Sequence, residues 1–283
     1  MRHIVIAALA AASLTTPVAA QPTVIHTATS TIEIIGLKQW TVKMIENSLE
    51  KYGQDKLTAH ACAAILRGKL HFADASVTMY SNFPEFDFKP YVAITVVEPV
   101  DSAKIHYKSW KFDRLQARAE WAEAFAQFKT SNELAQGAIQ TESFYAEHLS
   151  AADSTKYVKL DALHRVIVSS RSPADFTNAA RTIETDSVMA NRVIATLILG
   201  NFADRDSAWW TLVDAQRDPT WVSSTASQVL NIMGRRSPRV VDWTPVAGRL
   251  RYLLDGTNLF AFNPTMKTLT TTGVSPALAA ALL

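Results

Sequence analysis

The 283-residue chain has one cysteine, Cys62, so no disulfide can form within it and no Cys-based zinc site is available. Glycine is scarce, with nine residues and no cluster among them. That excludes a phosphate-cradling loop and a dinucleotide fingerprint, since both need the backbone to approach a ligand through closely spaced glycines. No Gly-x-Ser-x-Gly elbow occurs either. The six histidines beyond His3 are His26, His60, His71, His106, His148 and His164, and no two share ligand spacing on one element. Charge of one sign is also lacking. Lys and Arg against Asp and Glu count 9 and 9 over residues 27–110, then 18 and 17 over 111–283. Neither part carries the basic stripe of a nucleic-acid binder.

Long apolar runs are missing as well, apart from the first residues. Arg2 and His3 precede Ile4–Leu14, then Thr15-Thr16-Pro17 and Val18-Ala19-Ala20. A charged start, a short apolar middle and small residues before the cut are the pattern of an export signal, so residues 1–20 read as a signal peptide cleaved near Ala20. No cysteine follows the cut site, which excludes a lipid anchor there. The expected mature protein is exported, periplasmic or secreted, with no integral membrane segment.

Two patterns fill the remainder. Thr31–Gly36 reads as a strand, and Val42, Ile45, Leu49 and Tyr52 recur at helical spacing. A second helix is expected over 57–67, with Ala61, Ala64 and Ile65 as its apolar side and Cys62 a small buried residue. Ala75–Tyr80 alternates, with Ala75, Val77 and Met79 facing one way and Ser76, Thr78 and Tyr80 the other. Tyr91–Pro99 is the clearest strand of the chain, with Val92, Ile94 and Val96 inward. The order is β-α-α-β-β, a small mixed sheet covered by two helices. A further strand over 104–110 can extend it.

From 112 the spacing is helical. One helix carries Leu115, Ala119, Trp121, Ala122, Phe125 and Phe128, and a second covers 132–149. Helices over 158–169, 173–184 and 187–202 follow. Then the chain becomes self-similar: Asp218 and Asp255 are 37 residues apart, as are Val222 and Leu259, and Gly234 and Gly273 are 39 apart. Two helices in a period near 40 are the mark of an α-solenoid. The apolar tail 276–283 either folds back on the preceding helices or meets a partner, and folding back is the expectation.

The run IEIIGLKQWTVKMIENSL, then LRGKLHFADASVTMY and YVAITVVEP, resembles a POTRA domain over 27–99, with Gly36, Phe72 and Val96-Val97-Glu98 at pattern positions. Residues 155–283 resemble HEAT-type repeats through the Asp, Leu and small residues quoted above. The organisation expected is therefore an α+β POTRA-like domain (27–110), connecting helices (111–154) and an all-α, solenoid-like HEAT-type domain (155–283). The POTRA resemblance implies polypeptide binding, often by adding a strand to an open sheet edge, which here is the strand 75–80. No β-barrel of alternating segments follows, so outer-membrane translocation is not implied.

The expected function is an exported, non-enzymatic protein-binding or scaffold protein taking a protein or peptide partner. The residues named for contact are Ser76, Thr78, Tyr80 and Trp210. No catalytic residue, metal or cofactor is expected, no nucleic acid is expected, and the sequence sets no oligomeric state. Two alternatives stay open. One is an exported, hydrolase-like enzyme using Glu147, His148 and His164 at the junction of the modules; the other is a structural helical spacer. Glu142, Glu147 and His148 lack the spacing of a helical zinc site and read as a solvated face, as does the cluster Arg235, Arg236, Arg239.

Overall fold

The computed structural model describes residues 23–54, 57, 60–80, 89–105, 118–254 and 259–282. The chain forms two compact units, one ending at Pro99 and the other beginning at Val100. The expected signal peptide lies outside the described residues.

The first unit runs β1 (Thr23–His26), β2 (Thr31–Ile35), α1 (Val42–Glu50), α2 (His60–Gly68), β3 (Asp74–Tyr80) and β4 (Tyr91–Val97). The sheet order is β1-β2-β4-β3, with β2 and β4 parallel and the outer pairs antiparallel. Strand β4 is thus central, as its β-branched composition suggests. Strand β1 is an addition to the expected order. It carries only Val24 and Ile25 as apolar residues, and the turn that returns it to β2 is closed by the Thr27 hydroxyl, which accepts from Ser30 N at 2.8 Å.

Alternation along the strands puts Ile32, Ile34, Ala75, Val77, Val92, Ile94 and Val96 on one buried face. They pack with Ile45 and Leu49 of α1 and with Cys62 and Leu66 of α2. The buried side of α2 is Cys62, Ala63 and Leu66, whereas Ala61 and Ala64 are exposed. The expected face was rotated because alanine fits either side of a helix; Cys62 and Leu66, four residues apart, decide it.

Two residues join this sheet to α1. Gly36 has φ +100°, and a Cβ there would stand 2.1 Å from the Val96 carbonyl oxygen, so only glycine lets β2 end against β4. Glu98 is fully buried, and its carboxylate accepts from Lys38 N at 2.7 Å, Gln39 N at 3.0 Å and Trp40 N at 3.0 Å. It gathers the backbone donors ahead of α1. Trp40 then packs on Phe72 with ring centroids 5.0 Å apart.

The second unit is helical. Its helices are α3 (Ala119–Thr130), α4 (Asn132–Ala138), α5 (Ala151–Lys156), α6 (Asp161–Ser169), α7 (Pro173–Thr185), α8 (Met189–Leu199), α9 (Asp206–Ala215), α10 (Trp221–Arg236), α11 (Ala247–Leu254), α12 (Leu259–Thr272) and α13 (Pro276–Leu282). Pro99–Lys104 is a 3-10 turn, and of the strand expected over 104–110 the residues 106–110 lie outside the described residues. The buried face of α3 is Trp121, Ala124 and Phe128; Ala119 and Ala122 are exposed. The single helix expected over 132–149 ends at Ala138, whose carbonyl accepts from Thr141 N at 2.9 Å and from its hydroxyl at 2.7 Å. A 3-10 turn follows at Ser143–Tyr145.

Helix α8 is the centre of this unit, with every residue from Asn191 to Leu199 buried. It packs against α3, α7 and α10; α10 packs on α12, while α7 contacts α9, α9 contacts α11 and α11 contacts α13. Helix α7 starts on a capping box: Ser172 Oγ accepts from Asp175 N, and Asp175 accepts from Ser172 N at 2.8 Å. At the α7–α8 turn Asp186 accepts from Val188 N at 2.7 Å, and at the α9–α10 turn Asp218 accepts from Thr220 N at 2.8 Å. Each aspartate also holds a neighbour in the core. Asp186 takes Asn191 Nδ2 at 2.7 Å, and Asp218 pairs with Arg192 of α8, both side chains being buried. Asp255 lies outside the described residues. Gly234 sits inside α10 rather than ending it, where a Cβ would stand 3.0 Å from Thr271 Cγ2 of α12. The tail folds back, with α13 on α11 and Leu278 buried.

Candidate functional site

Three surfaces carry the residues that could meet a partner. The first is β3. Among the described residues it pairs only with β4, from Asp74 opposite Val97 to Tyr80 opposite Tyr91, so its outer side is an open edge. Ser76 is not available at that edge: it is buried, and its hydroxyl lies 2.5 Å from Thr95 Oγ1 on β4. Thr78 is partly exposed, and the Tyr80 side chain lies outside the described residues. Met79 is 49% exposed although it follows Ala75 and Val77 in the alternation. It shares the face of Ala75 and Val77, as the alternation expects, and lies opposite Val92 near the end of the strand.

The second surface surrounds Trp210. Its indole N–H donates to the Asp242 carbonyl at 2.8 Å, and its ring is partly buried against the helical core. Trp209 beside it is fully buried and donates to the Ala203 carbonyl at 2.9 Å. Both indoles therefore tie α9 to neighbouring connections.

The third is a groove between α10 and α12 of about 380 Å³, beside the close approach at Gly234. Leu230 and Pro264 give it an apolar floor, Gln228 and Asn231 line one side, and Lys267 and Arg235 stand on its rim. Nothing in the sequence announced it, because the two helices that form it are separated by α11.

The cluster Arg235, Arg236 and Arg239 is not merely solvated. Arg235 donates to the Gln140 carbonyl, Arg236 to the Gly200 carbonyl at 3.3 Å, and Arg239 to the Ala203 carbonyl at 3.3 Å. Arg239 also pairs with Asp206 at 2.6 Å. Arg236 lies over the ring of Tyr145, 4.8 Å from its centroid. Burial pushes the Tyr145 phenol well above the ordinary tyrosine range, and the Arg236 charge pulls it partly back.

The residues of the enzyme alternative do not form a constellation. Glu147 and His148 are exposed in the connection ahead of α5, and the His164 ring N–H donates to the Ala146 carbonyl at 3.0 Å. Among the described residues no hydrogen bond or ion pair links the three, and no group of three or more His, Cys, Asp or Glu is set to hold a metal ion. His60's side chain lies outside the described residues, so its approach to His71 does too. No described helix is long and apolar enough to cross a membrane. Burial pushes the Cys62 thiol up to about 11, the setting of an inert core thiol.

Compared with protein-family models, curated proteins and solved structures, the chain matches none.

Proposed function

We propose that this protein is an exported, non-enzymatic scaffold that captures an extended polypeptide along β3. The observation that carries the reading is that β3 pairs only with β4 among the described residues, leaving outward backbone donors and acceptors that an added strand would complete. The β-α-α-β-β order and the Gly36–Val96–Glu98 junction support a POTRA-like first unit. A HEAT-like second unit is supported by successive packing of α8, α10 and α12, of α7, α9, α11 and α13, and by aspartates at two inter-helix turns. Export rests on the Arg2–Ala20 pattern, and N-terminal sequencing of the mature protein should begin at Gln21.

Proline in place of Met79 removes a backbone donor from the outer side of β3 and leaves the core residues Ala75 and Val77 in place, whereas Tyr80, opposite Tyr91, turns its N–H to β4. Partner recovered with the exported protein from its own cells should fall by about tenfold, equivalent to ~1.4 kcal/mol of binding. Unchanged recovery by a folded Met79→Pro protein removes the edge from the account.

A further inference from the structure

We draw no further inference here: the strongest candidate, the groove between α10 and α12 with Lys267 and Arg235 on its open rim, carries nothing, because Leu230 and Gln228 Oε1 beneath that rim are shut off from solvent and nothing in the structure shows what covers it.

Discussion

At the scale of single residues, the first unit depends on groups whose chemistry cannot be exchanged. Gly36 meets a backbone oxygen, which cannot move aside as a side chain could. Gly36→Ala should therefore cost about 3 kcal/mol through both the positive φ and the clash with Val96, measured as a fall in the urea midpoint. Glu98→Gln retains the shape but turns a carboxylate serving three N–H groups into an amide with one acceptor. A loss of about 2 kcal/mol is expected, read the same way. Cys62 gives a pH dependence with a definite sign. Its native thiol stays protonated to about pH 11, whereas in the unfolded chain it ionises near ~8.5. The group contributes nothing below that lower value, and stability falls as pH rises from there toward 11, because the unfolded state alone gains the thiolate. Native Cys62 should accordingly resist a thiol reagent at pH 8 and react promptly in urea. Rapid native labelling would place the thiol at the surface.

At the scale of elements, the buried pair between Arg192 on α8 and Asp218 before α10 fastens two successive helix pairs. Removing one partner strands a charge in the core, so Arg192→Ala should destabilise the second unit by about 3–5 kcal/mol. Arg192→Met combined with Asp218→Asn, which keeps an oxygen for Thr220 N, should recover most of that loss, and a double variant as unstable as the single one would mean the pair itself stabilises the fold. The elements also show what the sequence could tell. Strands β2, β3 and β4 were legible because Ile32/Ile34, Ala75/Val77 and Val92/Ile94/Val96 alternate with polar residues, and the helices from α6 onward because Leu, Val and Ala recur at helical spacing. Strand β1 was not, since Val24 and Ile25 make too short a signal; nor was the break after Ala138, which is made by local bonds from Thr141. The contact residues were only partly legible. Alternation places Ser76 on the face opposite Ala75 and Val77, yet cannot say that its hydroxyl is taken by Thr95. It likewise puts Met79 on the face of Ala75 and Val77, where the register has it, yet cannot say that the side chain is left exposed there.

At the scale of the whole molecule, each unit has its own core, one gathered around β4 and the other around α8. Each is built to hold itself together. A fragment beginning at Val100 should keep its helical circular dichroism and melt cooperatively, and a non-cooperative melt would show that the second core is incomplete alone. The central claim is that the open side of β3 receives another polypeptide, and a photo-activated cross-linker at Met79 tests it most directly. Illuminated in its own cells, the protein should yield defined heavier adducts from Met79. The same cross-linker at Val158, 65% exposed on the helical unit, should yield about tenfold less. Equal yields from the two positions, or no defined adduct from Met79, would contradict strand capture.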